Sequence, residues 1–477
     1  MKVQQMYTYL FIMGLFAFTA CNQSQPEESK STSIPINSED STVVAQLFNQ
    51  ALTQGEAYDL LKHLCLNIGP RLSGSQGAAD AVAWTKKVME DYQFDEVYLQ
   101  EVMVPHWERG SKESAKIIDS DTDLNILAIG GSVPTPSDGL TAEVVLVNSL
   151  EEIDALGESM LKGKIVFYNY PFKQGFIRSF RGYSDAVRHR VLGADRASKY
   201  GAKAIVIRSV TTAFDDAPHT GTLIYEDSTV AQIPAAALGY QSADKLAEAL
   251  AKNPNTKLQL KINSKWFPDA LSHNVIGQLT GSAKPTEIIV IGGHLDAWDT
   301  GHGAHDDGAG CIHSIEALRL LQKVGYKPKR TLRAVMFMNE ENGTRGGRKY
   351  AAVAKAKGEN HILAIESDAD GFTPRGFGVT GSDALVDKLR SWLPYFDKNT
   401  ISYIQKGGGG ADIRFLNSET GTPLVGFIPD SQRYFDLHHS PNDTFDKINR
   451  RELELGAACM ATLVYFVDKY GLPVSEK

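Results

Sequence analysis

The stretch GGHLDAWDTGHGAHDDGAG, from Gly292 to Gly310, sets imidazole and carboxylate side chains among glycines. His294 can offer a ring nitrogen to a metal ion. Asp296, two residues further on, is spaced to hydrogen-bond the nitrogen that the ion leaves unused, which would fix the tautomer of a ligand histidine. Asp306 stands just ahead of a helix-periodic run, where a carboxylate can bridge two ions. An isolated H-x-D is common, so the weight lies downstream. Asn339-Glu340-Glu341-Asn342-Gly343 puts two carboxylates side by side after an apolar run. Adjacent side chains there point to different places, so one can bind metal while its neighbour faces a bound water. Asp368 follows the next apolar run, and His438-His439-Ser440 follows the last. His294, Asp306, Glu341, Asp368 and one of the final His pair make a nitrogen and oxygen donor set suited to two zinc ions, with positions left open for water.

Residues this far apart in sequence need a scaffold that converges them, and each follows a strand pattern. Glu287 to Gly292 is an Ile and Val run too continuous for a half-exposed strand, and it suits a parallel strand buried on both faces. Strands are expected at 274–279, 332–338, 362–366 and 424–428, alternating with helices at 309–324, 345–355, 383–393 and 451–470. Such alternation predicts an α/β fold, a mostly parallel mixed sheet with helices on both faces. An open sheet of this kind gathers its ligands at the carboxyl ends of its strands. Helices at 41–67 and 76–91 and a strand at 96–104 open the same domain, with GPRLSGS (Gly69 to Ser75) as a turn-rich connector. Gly407 to Gly410 form a bare-backbone loop able to pass close to a substrate main chain, with Asp412 placed to cap a helix. His302 and His305 read as loop residues, and Trp298 and Tyr434 as aromatic packing near a pocket.

The order H-x-D, G-A-x-D-D-G, E-E, S-D and H-S-x-x-D-T resembles the co-catalytic di-zinc aminopeptidase and glutamate carboxypeptidase family. GGHLDAWDTGHGAHDDGAG, NEENGTRGG, ESDADG and HHSPNDT carry the likeness, which spans roughly residues 45 to 470. The resemblance implies a zinc exopeptidase fold in which His294 and Asp368 bind one zinc, Glu341 and a late His the other, and Asp306 bridges them. It implies Glu340 as general base and acid, with Asp296 orienting His294. The family pattern places the late ligand just before the hydroxyl residue, which is His439 here, with His438 as its rival. Asp370, so near Asp368, raises a smaller ambiguity of the same kind. The activity implied is hydrolysis of dipeptides or short peptides from one end. Whether that makes it an aminopeptidase, a carboxypeptidase or a dipeptidase stays open. A homodimer is what the resemblance suggests. A glutaminyl-cyclase-like transferase would need one zinc, and a surface binding protein would need none.

Length and composition frame this reading. A chain of 477 residues exceeds one ordinary core. A net charge of -8 without a basic cluster gives no reason to expect nucleic acid. The apolar run Tyr9 to Phe18 is too short to span a bilayer and reads as an export signal. Phe18-Thr19-Ala20-Cys21 resembles a bacterial lipoprotein cleavage site, which makes Cys21 a lipidated residue and the cell envelope, periplasm or outer membrane, the expected location. Membrane contact is expected only through that anchor. Cys65, Cys311 and Cys459 lack C-x-x-C spacing and suit core packing. Between 127 and 264 the pattern changes to short strands and helices, and GKIVFYNY with GAKAIVIRS resembles a protease-associated domain. The expected order is a signal peptide at 1–20, a linker at 21–41, peptidase segments at 42–126 and 265–477, and the protease-associated insert at 127–264.

Overall fold

A computed structural model describes residues 37–368 and 371–473. The leader, Cys21 and the linker up to residue 36 lie outside the described residues, as does Asp370. Strands β1 (Glu96–Glu108), β2 (Lys265–Leu279), β3 (Lys284–His294), β4 (Arg330–Phe337), β5 (Asn360–Glu366), β6 (Pro374–Thr380), β7 (Tyr403–Lys406) and β8 (Leu424–Pro429) form one sheet. Its order is β1-β2-β4-β3-β5-β8-β6-β7. The middle, β4-β3-β5-β8, is parallel; β1 pairs antiparallel with β2, β2 with β4, and β6 with β8, while β7 runs parallel to β6.

The apolar run in β3 is continuous because both of its faces are covered. Ile289 and Ile291 enter a core shared with the helices Ala309–Lys323 and Arg450–Tyr470. Ile288 and Val290 point the other way, against Tyr350 and Ala351 of the helix Arg345–Lys357. Side chains alternate across a strand, so a two-sided burial needs apolar residues at every position. Each such side chain stabilises the fold by about 1.5–3 kcal/mol. Strands β6 and β7 were not legible in the sequence. Gly376 and Gly378 interrupt any apolar alternation in β6, and β7 has four residues.

A second sheet stands apart from the first. In spatial order its strands are Thr122–Leu124, Ser114–Ile117, Lys257–Lys261, Leu140–Val147, Ile165–Tyr168, Ala204–Arg208, Ala235–Leu238 and Ile126–Ala128. The chain leaves the main sheet along β1 and returns along β2, whose paired ends meet at Trp107 and Trp266. The change of pattern in the sequence predicts an insert from 127, whereas the second sheet takes strands from Ser114 onward. The reason is pairing: Ser114–Ile117 bonds to Lys257–Lys261, and Ile126–Ala128 to Ala235–Leu238. Among the described residues no helix is long and apolar enough to cross a membrane.

Candidate metal centre

Four neighbouring strands deliver the polar residues to one edge. His294 is the last residue of β3, Glu340 and Glu341 follow β4, Asp368 follows β5, and the loop after β8 carries His438 and His439. His294 Nδ1 lies 2.9 Å from the backbone carbonyl of Asp296 and must donate to it. That contact leaves Nε2 as the nitrogen with a free lone pair. Nε2 is 3.2 Å from Asp306 Oδ1 and 3.7 Å from Asp368 Oδ1. The other oxygen of Asp306 faces a different group. Oδ2 lies 3.2 Å from His439 Nε2 and 3.6 Å from His438 Nε2. His439 Nε2 is also 3.0 Å from Glu341 Oε2. His438 stacks on His439 at 3.5 Å between ring centroids and reaches Asp306 alone. Two clusters of ligand atoms, His294-Asp306-Asp368 and Asp306-His438-His439, therefore share one carboxylate.

The role expected of Asp296 needs correction. Its carboxylate does not meet the His294 ring; the short two-residue step turns the ring back onto the carbonyl of Asp296 instead. The side chain accepts the backbone N–H groups of Asn339 at 2.6 Å, Glu340 at 3.0 Å and Glu341 at 3.3 Å. It thus orients the Glu pair. Asp412 is a second correction. The helix Arg414–Thr420 begins after Ile413 with no side-chain cap. The carboxyl oxygens of Asp412 are buried without hydrogen-bond partners among the described residues, while its backbone N–H donates to Glu366 at 3.1 Å. A Cβ at Gly410 would overlap the Glu366 carboxyl, so the glycine loop lies flat against the end of β5.

The donor set suits cations. Burial opposes charge on Asp306, yet His294 and His439 hold its carboxyl well below the usual range. Burial likewise opposes charge on His439, but Glu341 and Asp306 carry it up to about 10. Burial, with Asp368 and Glu341 adding to it against the pull of His294, pushes Glu340 up to about 8. Glu341 Oε1 is buried with no hydrogen-bond partner among the described residues. An orphaned carboxylate oxygen beside imidazole nitrogens is the chemistry of a divalent-metal site.

Two supports escaped the sequence reading. Arg71, in the GPRLSGS connector, is fully buried and donates to the carbonyls of Leu295 (2.6 Å), His302 (2.6 Å) and Gly303 (2.9 Å). It braces the loop between His294 and Asp306, and nothing in a lone Arg signals that. Asp443 accepts the N–H groups of His305 and Asp306 at 2.9 and 3.1 Å, and its place in HHSPNDT was the available signal. His302 Nδ1 accepts from the N–H of Phe445 at 3.1 Å, and the His305 ring stacks on Phe372 at 4.1 Å. Trp298 sits edge-on to His439 at 5.8 Å, and Tyr434 is buried 5.1 Å from His438. A cleft of about 1020 Å³ opens beside the centre, lined by Glu366, Asp368 and Gly410 together with Arg178 and Arg181.

Comparisons with known proteins identify the family. Residues 274–464 match the model of peptidase family M28. The chain is 36% identical to carboxypeptidase Q of Bos taurus over 414 residues, covering 87% of this chain and 85% of that one. A crystal structure of a peptidase M28 precursor from Shewanella amazonensis superposes with a TM-score of 0.84 at 33% identity, covering 92% of this chain and 99% of that one. An aminopeptidase from Aneurinibacillus shares the fold at TM-score 0.64 and 23% identity, over 91% of this chain and 98% of that one. Taken with the shared carboxylate at the edge of the parallel strands, these likenesses place the chain in peptidase family M28.

Proposed function

We propose that the protein is an exported di-zinc exopeptidase that hydrolyses dipeptides or short peptides. The observation that carries this reading is Asp306, whose two oxygens face two separate sets of nitrogen and oxygen donors. In this reading His294 and Asp368 would hold one ion, Glu341 and His439 would hold the other, and Asp306 would serve both. When bound, the ions would lower the pKa of a water and polarise the scissile carbonyl. Glu340 takes the proton of the attacking water and returns it to the leaving amine. Its basicity, raised by burial, suits that task near neutral pH. Asp296 holds the backbone of Glu340 and Glu341 so that the two carboxylates keep separate duties.

The cleft supports the choice of short substrates. Glu366 and Asp368 line one part of it, and Arg178 and Arg181 line another with no ion-pair partner among the described residues. A peptide carrying both of its charged termini matches such a surface. The expected result is that Glu340→Gln keeps its zinc and loses turnover by about 10²–10⁴-fold. Near-normal peptidase activity in that variant refutes the assignment. Zinc counted per chain separates the readings: two ions support the peptidase, while one ion favours a glutaminyl-cyclase-like transferase. Dipeptides and end-blocked peptides then reveal which terminus is recognised. The export part of the reading rests on Tyr9 to Phe18 and Cys21, and Cys21→Ser is expected to move the protein from the membrane to the soluble fraction.

A further inference from the structure

The loop that carries His439 is gripped from outside the main sheet. His439 has φ 58°, a left-handed backbone that is uncommon for a residue other than glycine and that contacts on both of its flanking peptide planes hold here. These contacts come from the segment that joins the strands Ala204–Arg208 and Ala235–Leu238 of the second sheet. His219 is 2% exposed, and its Nδ1 lies 2.7 Å from the carbonyl of His438. Its Nε2 has no partner among the described residues, and Nδ1, facing a carbonyl, is the donor. The N–H of Thr220 donates to the carbonyl of His439 at 2.8 Å. The first carbonyl belongs to the peptide plane before the His439 Cα, and the second to the plane after it. Pinning both planes fixes φ and ψ of His439 together. Further grips lie along the same loop. The Thr211 hydroxyl donates to the carbonyl of Phe435 at 2.8 Å, and the Ser179 hydroxyl to that of Ser431 at 2.9 Å. Arg190, 5% exposed, donates to the carbonyl of Thr220 at 3.0 Å and so holds that residue in turn.

We propose that the second sheet is a positioning part of the metal centre, with His219 as the residue that sets the backbone of His439. The inference rests on the di-zinc reading. It adds that one of the two positions depends on residues far from the peptidase strands. Asn carries a donor where the histidine Nδ1 stands, Gln carries its amide further out, and Leu carries none. The test is zinc binding to the full chain under competition with a chromophoric chelator, with urea unfolding measured alongside. His219→Leu is expected to weaken one of the two ions by about 10–100-fold and to leave the other unchanged. His219→Asn is expected to stay within about twofold of the unaltered protein on both ions. If His219→Leu does not fold, His219→Gln takes its place with the same expected loss. An unaltered protein that fails to bind two ions overturns the di-zinc reading itself. Two ions in the unaltered protein, held as tightly by the Leu or Gln variant, overturn the positioning role alone. Equal weakening of both ions by Asn and Leu together, tracking lost stability, also overturns it.

Discussion

Asp296 shows how much a single side chain's direction decides. Its carboxylate collects three N–H groups from the turn that carries Glu340 and Glu341, while its carbonyl collects His294. Asp296→Asn would turn an amide NH₂ toward N–H donors and loosen that turn without touching the His294 tautomer. Turnover is expected to fall by about 10–100-fold with zinc at the His294 position retained, as read by kcat against zinc per chain. Loss of the ion at His294 would show that the carboxylate serves the ring after all. Residue types and order made the five ligand candidates legible, because Asp, Glu and His after apolar strands have few structural uses. The finer assignments were not legible. Sequence spacing cannot tell a carbonyl from a carboxylate as the partner of His294, since both lie on Asp296. Nor can it reveal Arg71, whose partners are backbone oxygens that any residue could supply.

Among the elements, β3 was the most legible, since burial on both faces leaves an unbroken Ile and Val run. Strands β6 and β7 stayed hidden because Gly376 and Gly378 are set by close backbone neighbours, Tyr403 and Gly407, and not by side-chain pattern. The helix Arg450–Tyr470 carries a pH-dependent contact. Glu454 is 3% exposed; its Oε1 accepts the N–H of Tyr58 at 3.1 Å, and Oε2 is buried without a partner among the described residues. Burial, with Glu316 adding to it, pushes its carboxyl up to about 7 from the ordinary 4.5. A raised carboxyl favours the protonated folded chain, so the contribution is full below about pH 4.5 and is lost as pH rises through 7, by about 3 kcal/mol in all. Glu454→Gln is therefore expected to unfold at higher urea than the unaltered protein at pH 8, with a much smaller difference at pH 5. Parallel urea curves with an equal offset at both pH values would contradict this.

At the scale of the whole molecule, the metal centre is where distant parts of the chain meet: four strand ends, the connector at Arg71 and the segment from His219 to Thr220. A ligand that binds only the folded state stabilises it by mass action. Chelation is expected to abolish peptidase activity and lower the melting temperature, and added zinc to restore both; a melting temperature indifferent to zinc would sever the centre from the fold. The side-by-side ends of the β1–β2 ribbon at Trp107 and Trp266 bear on how such a chain can diverge. Because the chain leaves and rejoins the peptidase body at adjacent points, descendants can lengthen, trim or exchange the far end of the second sheet without disturbing strand order in the first. The stretch touching His438 and His439 is the exception, since its hydrogen bond to the His438 carbonyl ties it to the first sheet's side from more than two hundred positions upstream.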